Sequence, residues 1–209
     1  MHVKHSWKSA AAGTLAALMV VNCLPVTAMA QDTPAPLALT AAQDAADFTI
    51  DENGVLTAYA GSSSNVTIPD GVQIIGNGTD AVFGGAVESV TIPAGVTEIA
   101  ANAFNGCTGL KSVTFADNSQ LTKIGQAAFY AVNQLQELAV PEGVTEIETY
   151  AFAAMSALET ITLPSTLETV CDETWFGNLF ARGTSGGAPE ALTEVNIAEG
   201  NPNYLSYDG

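Results

Sequence analysis

The chain is rich in acids and offers little else that could do chemistry. It has 22 Asp and Glu among 209 residues, and some stand close together: Glu146 with Glu148, Asp172 with Glu173. Glycoside hydrolysis needs two carboxylates flanking one bond, one of them held protonated in a cleft. These pairs fall instead at recurring positions that should face water, so a hydrated acidic surface is the favoured reading. The two histidines, His2 and His5, lie in an N-terminal leader. A chain without that leader cannot assemble Ser-His-Asp or Cys-His nucleophiles, nor a histidine-bearing zinc site. No D-x-[DN]-x-[DN]-G calcium loop occurs. The expectation is therefore no catalytic residues, no cofactor and no metal.

Residues 1–30 read as a secretory signal peptide. His2, Lys4, His5 and Lys8 precede an apolar run from about Ala10 to Val26, and Ala28-Met29-Ala30 fits the small-residue cleavage site. Asn22, Cys23 and Pro25 interrupt the run and argue against a stable membrane span. Asn before Cys23 also fits a lipidation site poorly. Cleavage would leave Lys111, Lys123 and Arg182 against all 22 acids, a net charge of −19 on 179 residues. Such a surface repels nucleic acid and anionic lipid. Neither nucleic-acid binding nor membrane insertion is expected of it.

Residues 31–47 are rich in Ala, Pro and small polar residues and read as a flexible linker. Residues 48–65 form an N-terminal hairpin or cap, signalled by Asn53-Gly54 between alternating runs. A repeat then fills residues 66–209. Its openers are Val66-Thr67-Ile68, Val90-Thr91-Ile92, Val113-Thr114-Phe115, Leu138-Ala139-Val140, Ile161-Thr162-Leu163 and Val195-Asn196-Ile197, spaced 24, 23, 25, 23 and 34 residues apart. Each of the first five is followed by an apolar anchor: Ile75, Ile99, Ile124, Ile147 and Val170. An aromatic pair-end follows in Val82-Phe83, Ala103-Phe104, Ala128-Phe129, Ala151-Phe152 and Trp175-Phe176. The surplus in the fifth unit is assigned to a surface loop at 181–189.

A unit this short cannot bury its apolar side alone and must stack on its like, which makes a solenoid. The openers should be short parallel strands. Pro69, Pro93, Pro141 and Pro164 should end them, with Gly71, Gly95 and Gly143 permitting the turn. Segments such as ANAFNGC and TYAFAAM are expected to form one helical turn. Coils about 4.8 Å apart place Cys107 and Cys171, three coils apart, roughly 14 Å from one another. That exceeds the ~7 Å limit on disulfide Cα separation, so both are expected as free, buried thiols. Stacking should also set Lys123 between Glu98 and Glu146, relieving repulsion by about 0.5 kcal/mol.

Written out, the unit is V-x-I-P-x-G-V-x-x-I-x-x-x-A-F, then a leucine such as Leu110, Leu135 or Leu158. It resembles the BspA-like class of bacterial leucine-rich repeats. The pattern departs at Asp117-Asn118-Ser119, which replace Pro-x-Gly, and at Thr174-Trp175, which replace Ala-Phe. The resemblance implies a repeat solenoid, right-handed and β-rich, with short parallel strands. It implies a secreted or cell-surface protein for extracellular recognition or adhesion, and carries over no catalytic residue. The partner class is an extracellular protein or glycan.

The outward opener residues, Thr67, Thr91, Thr114, Thr162 and Asn196 with Ala139 among them, are the candidate partner-binding face. The 181–189 loop with Arg182 is a rival contact point. A repeat module that targets a longer exported enzyme, or a carbohydrate-binding module, is the alternative reading. The tail NPNYLSYDG resembles the first half of a hairpin with no terminal cap in view. The chain is therefore expected to be part of a longer protein.

Overall fold

A computed structural model describes residues 44–170, 179–180, 191–204 and the backbone of 207–208. A short 3-10 turn, Ala45–Asp47, leads into β1 (Phe48–Ile50) and β2 (Val55–Tyr59). These pair antiparallel around a turn in which the Asp51 carboxylate accepts from the N–H groups of Asn53 and Val55. Six coils follow. Each opener is a strand: β3 (Asn65–Thr67), β5 (Ser89–Ile92), β7 (Ser112–Phe115), β9 (Glu137–Ala139), β11 (Thr160–Leu163) and β13 (Glu194–Ile197). The first five coils hold a second, two-residue strand at the anchor: β4 (Ile74–Ile75), β6 (Glu98–Ile99), β8 (Lys123–Ile124), β10 (Glu146–Ile147) and β12 (Thr169–Val170). The last strand, β14 (Tyr207–Asp208), turns back antiparallel onto β13.

The anchors are thus more than packing points. With the β1–β2 hairpin they form one seven-stranded sheet, parallel from β2 to β12. Two residues suffice because one side chain of each pair, Ile75, Ile99, Ile124, Ile147 or Val170, enters the core and meets its equivalent on the next coil. The openers alternate as a half-buried strand should, with Val90 and Ile92 buried around exposed Thr91.

The third side of each coil departs from the sequence expectation. ANAFNGC and TYAFAAM form successive tight turns, not a helical turn. Alternate N–H groups are spent in two directions. Ala103, Asn105 and Cys107 donate back within their own coil, while Asn102, Phe104 and Gly106 donate to Gln126, Ala128 and Tyr130 of the next. The alternation requires left-handed residues, supplied at Asn102, Gly106, Ala127, Ala131, Tyr150 and Ala154. A helix would direct its N–H groups along its own axis and not across to the next coil, leaving the coils unjoined on this side.

Inside the turns runs a column of rings: Phe48, Tyr59, Phe83, Phe104, Phe129, Phe152 and Phe180. Phe104 and Phe129 stack at 4.8 Å and 3° between planes. In the fifth coil the column is continued by Phe180, with Leu179 in the place of Ala151. Trp175 and Phe176, assigned this role from sequence, lie outside the described residues. Ten residues separate Val170 from Phe180 where five separate Ile147 from Phe152, so the fifth coil carries part of its surplus before the ring.

Gly71 and Gly143 hold the left-handed φ that the opener-ending turn was expected to need, at 95° and 103°. Gly95 does not adopt one. Among the described residues, no polar or charged side chain is buried.

Candidate partner-binding face

The openers stack in register, so their outward residues form columns. On β3, β5 and β7 these are Thr67, Thr91 and Thr114, flanked by Asn65, Ser89 and Ser112. On β9, β11 and β13 they are Ala139, Thr162 and Asn196, flanked by Glu137, Thr160 and Glu194. Thr67, Thr91, Thr114 and Ala139 are exposed, while Thr162 and Asn196 are half-buried. The structure does not join the two columns into one ladder, because β7 and β9 belong to different sheets. The halves also differ in chemistry. The first is uncharged and rich in hydroxyls, with Ser89 Oγ donating to Asn65 Oδ1 at 2.7 Å. The second sets two carboxylates beside its column.

The anchor face uses its polar residues for cohesion. Thr97, Thr122 and Thr145 each donate through both hydroxyl and backbone N–H to one carbonyl of the preceding coil, on Gln73, Thr97 and Thr122 respectively. Sequence reasoning missed this column, although the repeated threonine of VTEI at 96–99 and 144–147 was the signal. The column ends at the Glu168 carbonyl. There the Tyr204 hydroxyl donates at 3.3 Å, in the place of a further coil. Asn201 and Asn203 similarly donate to the carbonyls of Pro164 and Leu167. The NPNY stretch thus covers part of the last anchor turn, where no cap was visible in the sequence.

Lys123 pairs in register with Glu98 and Glu146, as stacking required. Its ammonium leans to one side, 3.3 Å from Glu146 and 2.5 Å from Glu148. Hydrogen bonding to Glu148 is the largest influence raising its pKa above the usual lysine value. The Glu146–Glu148 pair is therefore engaged with Lys123, and Glu148 also accepts from the Gln126 N–H at 2.9 Å. Asp172, Glu173, Cys171, Arg182 and the 181–189 loop lie outside the described residues. Cys107 is a free thiol, buried and donating to the Phe83 carbonyl at 3.2 Å. Burial pushes its pKa from 9.0 up to about 12, so it stays protonated and unreactive at neutral pH. Among the described residues, no three His, Cys, Asp or Glu side chains gather as a metal site.

The sequence model of the BspA type leucine rich repeat region matches residues 57–180 in six copies. The chain belongs to this family. Among solved structures it is similar to a leucine-rich repeat protein of T. pallidum, TpLRR, with a TM-score of 0.57 and 22% identity over 74% of this chain and 81% of that one. At that identity the likeness speaks to the fold alone. It also matches the pneumococcal vaccine antigen PcpA, at TM-score 0.47 and 21% identity over 76% of this chain and 49% of that one. A third match is a leucine-rich cell surface protein of Faecalibacterium prausnitzii, at 0.39 and 25% over 77% and 56%. No curated protein sequence matches the chain. The family accounts for the packing columns and assigns no function to the outward residues.

Proposed function

We propose that this BspA-type repeat protein is exported and acts outside the cell as a non-catalytic recognition scaffold, binding an extracellular protein or glycan through its opener face. The observation that carries the reading is the division of labour within each coil. Apolar positions meet their equivalents in the core, and the anchor-face threonines are spent on joining coils. The opener residues Thr67, Thr91 and Thr114 stay exposed in a regular column. A rigid column at a spacing of roughly 4.8 Å presents many small contacts at little ordering cost.

The reading is tested by biolayer interferometry of the exported chain against extracellular matrix proteins and neutral glycans. Thr67→Arg, Thr91→Arg and Thr114→Arg together should weaken any binding found at least tenfold, with the melting temperature unchanged. Binding that ignores this triple variant would place recognition elsewhere. Mass spectrometry of the exported protein should find its N-terminus at Gln31, and retention in the cytoplasm would overturn the localisation.

A further inference from the structure

The third and fourth coils, which begin at β7 and β9, are joined on two sides and parted on the other. On the anchor side β8 pairs with β10, Lys123 against Glu146 and Ile124 against Ile147. On the turn side the N–H groups of Ala127, Phe129 and Ala131 donate to Thr149, Ala151 and Ala153. On the opener side β7 and β9 are not paired, and they end separate sheets. The missing bonds can be named by comparison with neighbouring coils. Ile68 and Val140 donate to Thr91 and Thr162 of the following coil, whereas the equivalent Phe115 lies on a strand that is not paired with the one holding Ala139. Ser112 and Thr160 donate to Glu88 and Gln136 of the preceding coil, and the equivalent Glu137 N–H has none to Lys111.

Packing opens at the same line. Val113 and Phe115 are only partly buried. Their equivalents on either side are buried: Val90 and Ile92 at 1%, Leu138 at 3% and Val140 at 5%. The other partly buried members of the core, Tyr59, Leu192, Val195 and Tyr204, belong to the first and last elements of the fold.

Coil length supplies the cause. Nine residues separate opener from anchor in Val66 to Ile75, Val90 to Ile99, Leu138 to Ile147 and Ile161 to Val170, but eleven in Val113 to Ile124. The two surplus residues fall in the turn 116–122, where Pro-x-Gly is absent and Asn118 is left-handed. Leu121 is fully buried and Ile124 is held in the seven-stranded sheet. The anchor end is fixed, so the surplus is taken up at β7.

We propose that the β7–β9 line is a closable seam. The coils on either side open and shut about the β8–β10 pair. Shutting forms the missing ladder bonds, buries Val113 and Phe115, and brings Thr114 beside Ala139 so that the two halves of the opener face become one. A partner seated across both halves would favour the shut state, because only that state offers it a continuous column. This last step rests on the recognition reading above, and the seam itself does not.

The test is residue-resolved amide exchange by NMR on the full chain without a partner. The Phe115 and Glu137 amides should exchange at least 100-fold faster than those of Val140 and Thr160. Equal protection would show that there is no seam. Deleting Asn118 and Ser119 restores the nine-residue spacing and should slow exchange at Phe115 and Glu137 at least tenfold. A folded deletion variant with both amides still unprotected would overturn the coil-length cause. Closure is tested separately by oxidising a Thr114→Cys, Ala139→Cys variant beside a Thr91→Cys, Thr114→Cys control from the paired β5 and β7. Crosslinking of both supports the seam, whereas crosslinking of the control alone would show a rigid gap. Failure of partner binding with a closing seam would leave the seam standing.

Discussion

The anchor face and the opener face belong to the same coils and obey the same stacking rule, yet one is a single seven-stranded sheet and the other splits in two. The difference shows where a solenoid tolerates surplus chain. The anchor strands are only two residues long, but each drives an Ile or Val into the core, and those from β4 to β10 are joined to the next by threonine hydroxyls as well as backbone. The opener strands are longer and have no such second tie to the coil before them at β7 and β9. Two extra residues between the two faces therefore leave the anchor ladder intact and part the opener ladder. Small repeats stack by nearest-neighbour interfaces, so damage at one interface need not spread.

The sharpest way to break this comparison is to remove one ring from each region. Phe129 lies fully buried in the aromatic column, 4.8 Å from Phe104 and 5.8 Å from Phe152. Phe129→Ala should cost roughly 3–5 kcal/mol in urea unfolding, as expected for a deleted core aromatic. Phe115→Ala at the seam, where the ring is only partly buried, should cost about 1–2 kcal/mol. Equal costs would mean that packing at the seam is as tight as in the column.

The second test uses the side of the coil where turns, not strands, join the chain. Cys107 holds its thiol neutral up to about 12 when folded, against 9.0 ordinarily. Its stabilising contribution is complete below pH 9 and is lost as pH rises toward 12, because the unfolded chain releases the proton first. By pH 10.5 the loss should reach about 2 kcal/mol. Val132 and Met155 occupy the equivalent place in the next two coils, so Cys107→Val should fold. The check is urea unfolding at pH 8 and pH 10.5. The variant should lose less stability than the native chain, and equal losses would show that the thiol is not the group responsible.

What the sequence disclosed follows from what stacks. Val-x-Ile and Ala-Phe recur in register, so the parallel openers, the core columns and the Lys123 position were all legible. Two-residue strands leave no alternation to read, so β4, β6, β8, β10 and β12 passed as anchors only. The turn side was mistaken for helix because its i to i−3 bonds and small residues look alike in sequence; the left-handed alternation at Ala127 and Ala131 has no residue signature. Of the candidate face, the residues were legible and the division was not. The 25-residue spacing was visible, but its effect depends on which side of the coil is held. Only the paired β8 and β10 reveal that.

A smaller effect separates the two lysines, one on each face. Lys123→Glu would set a fourth carboxylate among Glu98 and Glu146, on the unbroken sheet, and Glu148 just beyond β10. Lys111→Glu would face Glu88, where the existing pair at 3.1 Å is half exposed. The first should destabilise by about 1 kcal/mol and the second by a few tenths, with the gap narrowing in 1 M salt. Equal melting temperatures for the two variants at low salt would count against the anchor register.

The smallest effect should carry the opposite sign. Ala131 and Ala154 hold left-handed φ values of 57° at the place where the second coil has Gly106, at 73°. An L-residue with a Cβ costs about 1 kcal/mol or more there. Glycine removes that cost but gives the unfolded chain more freedom, worth roughly 0.4–1 kcal/mol. Ala131→Gly should therefore stabilise by at most about 0.5 kcal/mol, while Gly106→Ala, which meets no atom within 4 Å, should destabilise by a similar amount through strain alone. The pair isolates backbone conformation from packing, because neither change opens a cavity or makes a clash. If Ala131→Gly instead cost 1 kcal/mol, the turn side would be tolerating its left-handed residues without strain. Its hold on the third and fourth coils would then be as firm as that of the anchor sheet.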